Sequence, residues 1–267
     1  MDLKILCKEV CAVARQTGEF IKKESAGFDA DDARLKGKHD FVSYVDIEAE
    51  KQLTAGLSDL LPQAGFIAEE GTGEIAESGL NWIIDPLDGT TNFMHGLPVY
   101  SISIGLVQKD RILLGVILNV PGDELFYAYD GGGAWLNDKR INVSQSDKLD
   151  DSLIATGFPF KNYERLDTFM VSLEYFIRHT RGVRRMGSAA VDLAYVACGR
   201  YDGFYEYGLK RWDVTAGIII IREAGGQASD FSGEKSDIDG SEIVASNSNI
   251  FDVFRLEVER HMNDKIS

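Results

Sequence analysis

Patterning along the 267 residues predicts a mixed α and β chain, with an α+β first half (residues 1–146) and an α/β second half (residues 147–267). Two observations carry this. Between Tyr100 and Val143, short apolar runs are separated by the turn signals Gln108-Lys109-Asp110-Arg111, Pro121-Gly122-Asp123 and Gly131-Gly132-Gly133, the mark of an antiparallel meander. From about Asp147 onward, short strand-like runs alternate with helical ones, which favours an α/β arrangement. No internal repeat or low-complexity linker intervenes, so the halves are expected to pack tightly.

The elements follow in order. Leu3, Leu6, Val10, Ala14, Thr17 and Ile21 recur at helical spacing, predicting one amphipathic helix over 2–25. Ser25 to Asp40 is charged and glycine-containing and reads as a loop; Asp46–Leu61 reads as a helix ended by Pro62. Phe66-Ile67-Ala68 is a short strand leading into Glu69-Glu70. Trp82-Ile83-Ile84 is a second, expected to stop at Asp85 because Pro86 cannot donate to a ladder. In the meander, strands are expected around Tyr100–Leu106, Ile112–Val120, Leu125–Tyr129 and Ala134–Val143. Beyond it come strands at Leu153–Thr156, Val183–Met186 and Gly203–Glu206, and helices at Tyr163–His179, Ser188–Cys198 and Val214–Ala224. Asn247-Ser248-Asn249 suits the cap of a last helix through Met262.

Composition narrows the function classes. An apolar fraction of 44% supplies an ordinary core. Asp and Glu total 43 against 28 Lys and Arg, a net charge of −15 that repels nucleic acid and anionic membranes. The same field repels a phosphorylated ligand unless bound cations reverse it locally. Three cysteines and four scattered histidines give neither a disulfide framework nor a zinc pattern, and Cys7 and Cys11 read as small core residues on one helix face. No apolar run reaches the roughly 20 residues of a membrane span, and the amphipathic N-terminus is unlike a signal peptide. A reducing cytoplasm is the expected location.

The most informative stretch is Trp82 to Phe93. Asp85 and Asp88 sit three apart around a turn that Gly89 helps to close, so two carboxylates can converge on a hard cation. Thr90, Thr91 and Asn92 suit the opening of a helix, whose free N–H groups bind phosphate. Asp-Pro-x-Asp-Gly is also ordinary turn chemistry. Likewise Glu69-Glu70 could be an exposed acidic pair, and Asp213 a simple cap on an apolar helix. Their joint occurrence at strand ends and helix starts favours a shared metal-dependent phosphate site. No Ser/His or Cys/His pair offers a nucleophilic alternative.

These motifs resemble the inositol monophosphatase family. Glu69-Glu70 is similar to its paired glutamates, Asp85-Pro86-Leu87-Asp88-Gly89-Thr90-Thr91-Asn92-Phe93 to its central signature, and Trp212-Asp213-Val214-Thr215-Ala216-Gly217 to its C-terminal one, in the same order and separation. The resemblance implies a layered α-β-α-β-α sandwich of the inositol monophosphatase and fructose-1,6-bisphosphatase type, a homodimer, and lithium-sensitive phosphomonoesterase activity on inositol monophosphate through metal-activated water. It further implies Mg²⁺ as cofactor, two or three ions per site, with Mn²⁺ as an alternative. Glu69, Asp85 and the Leu87 carbonyl would hold one ion, Asp85, Asp88 and Asp213 a second, with Glu69 supporting a third. Glu70 and Thr90 would orient and deprotonate the water, with Asp46 supporting them and Lys36 as a nearby basic residue. Gly89 and Thr90 would receive the phosphate. Ser43 stands where the family more often has Thr, keeping the hydroxyl.

Gly187, Ser188, Ala189 and Glu206 resemble family positions that contact inositol hydroxyls, with Asp88 and Asp213 bordering the same substrate. The Gly-Ser-Ala-Ala run would equally serve close helix packing. Thr91-Asn92-Phe93-Met94-His95-Gly96 looks like the inositol-phosphate members, whereas nucleotide-bisphosphate members usually carry Lys-Glu after the first Thr. Same-fold alternatives are fructose-1,6-bisphosphatase, nucleotide-bisphosphate phosphatase and histidinol-phosphate phosphatase. A non-catalytic regulatory binding protein is the alternative from another class, and the expected partner is a small phosphate ester rather than nucleic acid or membrane.

Overall fold

The computed structural model describes residues 1–27, 34–37, 40–42, 44–160, 163–234 and 239–263. In chain order the first half contains α1 (Leu3–Ser25), β1 (Arg34–Gly37), β2 (Asp40–Val42), α2 (Tyr44–Leu60), β3 (Gly65–Ala68), β4 (Leu80–Asp88), α3 (Thr90–Met94), β5 (Ser101–Gln108), β6 (Arg111–Asn119), β7 (Glu124–Tyr129), β8 (Ala134–Leu136) and β9 (Lys139–Ile141). The second half contains β10 (Leu153–Thr156), α4 (Leu166–His179), β11 (Gly182–Arg184), α5 (Ala189–Ala197), β12 (Gly203–Tyr207), α6 (Arg211–Glu223), β13 (Gly226–Ser229), β14 (Glu242–Asn247) and α7 (Phe251–Asn263).

Among the described residues these elements form five layers. Helices α1 and α2 cover one face of a seven-stranded sheet of order β3-β4-β5-β6-β7-β8-β9, parallel at β3–β4 and antiparallel elsewhere. On its other face lie α5 and α6, which also touch a mixed five-stranded sheet of order β11-β10-β12-β14-β13. Helices α4 and α7 close the outside of that sheet. The layered sandwich expected from the sequence is therefore present.

Each layer follows from its sequence. In α1 the periodic residues Leu6, Val10, Ala14, Thr17 and Ile21 are buried together with Cys7 and Cys11, while the Asp2 carboxylate caps the helix by accepting the backbone N–H groups of Lys4 and Ile5. Helices apolar all round must be covered all round, and α5 and α6 are the middle layer: Val214 through Ile221 are all buried. Close approach of α6 to the sheet needs the paired Gly105 and Gly115, where a Cβ would lie 2.6 Å from Thr215 Cγ2 and from the Ala216 carbonyl respectively. The outer layer is aromatic, with Phe176 packed on Tyr205 and Phe254 at ring-centroid distances of 5.1 and 5.3 Å.

Three expectations are corrected. β4 does not stop at Asp85 but runs to Asp88, because a bulge between Asp85 and Asp88 interrupts pairing with β5 where Pro86 would otherwise owe a ladder hydrogen bond. The run Ala134–Val143 is a hairpin, β8–β9, since Asn137 and Asp138 take φ of 45° and 63°, as a two-residue primed turn requires. Within the stretch read as a loop, β1 and β2 pair antiparallel. Ser43 and the side chain of Lys36 lie outside the described residues.

Candidate active site

Pairing register brings the acids together. β3 and β4 are parallel with Ala68 opposite Ile84, and the Glu69 N–H extends the pairing to the Ile84 carbonyl at 3.2 Å, so Glu69 leaves the sheet beside Asp85. The Asp85 carboxylate accepts the Leu87 N–H at 2.9 Å across the bulge. Gly89 follows with φ 95° and opens the short helix α3; a Cβ there would meet the Val99 carbonyl at 3.0 Å.

From the other half, α6 delivers Asp213 in its first turn. The Asp213 carboxylate does cap its helix, accepting the Lys210 N–H at 2.7 Å, and the same side chain faces the acids of β4. Carboxylate oxygens of Asp85, Asp88 and Asp213 all lie within 4.8 Å of one another. Burial, then the like charges of Glu69, Asp88 and Asp213, hold the Asp85 carboxyl well above the usual carboxylate range. The Asp88 carboxyl is also raised by burial, opposed by bonds from the Ser188 hydroxyl at 2.6 Å and the Ala190 N–H at 2.8 Å. A hard divalent cation relieves this repulsion, and three convergent carboxylates are the donor set it takes.

Of the residues predicted from sequence, Glu69, Asp85, Leu87, Asp88, Gly89, Thr90, Gly187, Ser188, Ala189, Glu206 and Asp213 line one cleft of about 470 Å³. Asp46 and Glu70 stand outside its lining. The buried Asp46 reaches the site by accepting the Thr90 hydroxyl at 3.0 Å. Glu70 sits on the loop after β3, and its N–H is held by Glu50. Glu206 lies against the backbone of Gly157, where a Cβ would fall 2.0 Å from its carboxyl carbon.

Sequence reasoning missed the residues that brace this arrangement. Glu50 in α2, fully buried, accepts the Glu70 and Thr72 N–H groups, both at 2.8 Å. On β5, Ser103 donates to the Trp212 carbonyl at 2.8 Å, fixing the start of α6, while Ser101 and Ser188 share a hydroxyl contact of 3.0 Å. Asp192, buried in α5, also lines the cleft. The one detectable signal was the spacing of Glu50 from Asp46, one helical turn on the face that meets the sheet.

Fold and site together define a layered α/β protein with an acidic, cation-ready cleft built from both halves of the chain. The chain belongs to the inositol monophosphatase family, whose model matches residues 2–262. It is 44% identical to an inositol-1-monophosphatase of Mesorhizobium japonicum over 92% of this chain and 93% of that one. It is 40% identical to the Nus factor SuhB of Pseudomonas aeruginosa, over 93% and 94% of the two chains. Among solved structures, the extragenic suppressor protein suhB of Bartonella henselae superposes with a TM-score of 0.88 at 40% identity, covering 97% of this chain and 98% of the other. Among the described residues, no helix is long and apolar enough to cross a membrane.

Proposed function

We propose that this protein is a Mg²⁺-dependent phosphomonoesterase that hydrolyses inositol monophosphate to inositol and phosphate. The observation that carries this is the convergence of Asp85, Asp88 and Asp213 within 4.8 Å at the cleft, beside the backbone turn at Gly89. The name of the Mesorhizobium relative supports the substrate class. Glu69, Asp85 and the Leu87 carbonyl would hold one ion and Asp85, Asp88 and Asp213 another, with Glu69 helping a third. Bound there, Mg²⁺ neutralises charge on the attacking and leaving oxygens and makes water more acidic.

The chain's own groups do the rest. Thr90 has a single hydroxyl proton, within reach of the Asp46 carboxylate at 3.0 Å and the Leu87 carbonyl at 3.1 Å. Spending that proton on either leaves its oxygen lone pairs to accept from the attacking water, and Glu70 takes the water's second proton. N–H groups at Gly89 and Thr90 receive the phosphate. Gly187, Ser188, Ala189 and Glu206 face the alcohol portion. The half 1–146 would thus supply most of the metal ligands and 147–267 the alcohol contacts, in a cytoplasmic homodimer.

Phosphate release from myo-inositol 1-phosphate, with Mg²⁺ and with excess chelator, tests the reading. Release that requires the cation is the expected result; equal release in chelator, or none under either condition, overturns it. The relatives named Nus factor SuhB favour a second reading, a partner-binding role beside or instead of catalysis. The intact acidic cluster supports catalysis.

A further inference from the structure

Asp192 is the one acid in α5, a helix otherwise of Ala, Val, Leu and Tyr. It is 1% exposed, and among the described residues its Oδ1 has no hydrogen-bond partner. A buried carboxyl without a partner is costly, so an apolar residue would pack this position better. Yet Asp192 lines the cleft. Ser188, four residues earlier, donates to Asp88, and residues four apart share a helix face, so Asp192 lies on the site-facing side one turn further along. Its electrostatic neighbours are Glu206 and Asp88, with the exposed Arg185 the cation that offsets them.

Resting on the phosphatase reading above, we propose that Asp192 is a specificity-determining residue that takes a hydroxyl of the substrate's alcohol portion beyond the reach of Glu206. Two adjacent acids repel an anionic group and are left unpaired by an apolar one, whereas vicinal hydroxyls satisfy both. One helical turn separates Asp192 from Ser188, about 6 Å along the axis. The selected class is therefore the monophosphate of an alcohol with vicinal hydroxyls, which a cyclitol or hexitol supplies and glycerol 2-phosphate, whose free hydroxyls are 1,3-related, does not.

The test compares wild type, Asp192→Ala and Asp192→Asn on myo-inositol 1-phosphate, glycerol 2-phosphate and 4-nitrophenyl phosphate at saturating Mg²⁺, with thermal midpoints. In Asp192→Ala, the kcat/KM ratio of inositol phosphate to either other ester should fall about ten- to a hundredfold. Asp192→Asn keeps an acceptor oxygen and should fall less. Both midpoints should equal or exceed wild type, since an unpaired buried acid is removed, a gain that a purely structural role would reverse. Unchanged ratios, or lowered midpoints with equal losses on all three esters, overturn the inference. Should the Ala variant fail to fold, the ratio in the Asn variant decides. No Mg²⁺-dependent release by wild type from any ester overturns the phosphatase reading and this inference with it; active wild type with unselective variants overturns this inference alone.

Discussion

Glu50, buried in α2, holds the N–H of Glu70 at 2.8 Å, so a helix on one side of the sheet fixes a loop at the cleft on its edge. The same carboxylate holds Thr72, which makes Glu50 a strap for the Glu69-Glu70 segment. Glu50→Ala leaves two N–H groups without their charged acceptor and should cost on the order of 2–4 kcal/mol by urea unfolding. It should also raise the Mg²⁺ concentration needed for half-maximal activity. Glu50→Gln, with one acceptor oxygen, should lie between. Wild-type Mg²⁺ dependence in Glu50→Ala would show that the strap does not position Glu69.

Glu70→Gln separates chemistry from metal binding. If Glu70 takes the proton of the attacking water, kcat should drop about 10²–10⁴-fold. Mg²⁺ affinity, followed by calorimetry, should stay near wild type. Normal kcat with weakened Mg²⁺ binding would make Glu70 a ligand instead.

Asp88→Asn keeps shape but removes one of three anionic donors, and Ser188 and Ala190 still donate to the remaining carbonyl oxygen. Mg²⁺ affinity should fall steeply while the fold persists. Calorimetric titration checks this; unaltered affinity would place the ion elsewhere.

Stability should depend on pH and cation together. Asp85, Asp192 and Glu206 all have carboxyls held well above their ordinary values by burial first and neighbouring acids second. An acid with a raised folded pKa binds more protons folded than unfolded, so between its ordinary and raised values stability falls as pH rises. Chelated protein should therefore melt progressively lower on going from about pH 5 towards neutrality. Saturating Mg²⁺ should flatten that slope, since the ion replaces the proton at Asp85. A slope indifferent to Mg²⁺ would show that the triad does not take the ion.

Glu206→Ala should lower the kcat/KM ratio of inositol phosphate to an aryl phosphate about ten- to a hundredfold, through lost hydroxyl bonds to its carboxyl group. Gly157→Ala offers an independent route to the same result, because its new methyl group would occupy the place of the Glu206 carboxylate. A loss shared equally by both esters in both variants would reject the specificity role.

Much of the site was legible because its chemistry is local in sequence. Asp85 through Phe93 and Trp212-Asp213 carry their turn or helix start within a few residues, so each shows as a local motif, and their joint occurrence with Glu69-Glu70 singles them out from ordinary turns and caps. Glu50, Ser101, Ser103 and Asp192 have no such signature. Glu50, Ser101 and Ser103 matter through partners distant in sequence, as Ser103 does with Trp212, and the pairing register that joins them is decided by tertiary packing, while Asp192 is marked only by its burial beside the cleft. The fold shows the same division. The periodicity of α1 announces itself, whereas β13, a run of Gly, Gln, Ala and Ser, becomes a strand through β14 beside it.

The irregularity in β4 settles a question of parity. Along an uninterrupted strand side chains alternate sides, so residues an odd number apart, such as Asp85 and Asp88, would point in opposite directions. The extra residue changes the count: Asp85 stands opposite Ser103 and Asp88 opposite Ser101, and those two serines, an even step apart, look the same way. Both carboxylates consequently face the side on which α5 and α6 arrive. Removing a single residue from Pro86-Leu87 would straighten the strand and turn one aspartate toward α1 and α2, dismantling the cluster without altering any acid in it. The proline that should have ended the strand thus belongs to the device that lets two acids act on one point.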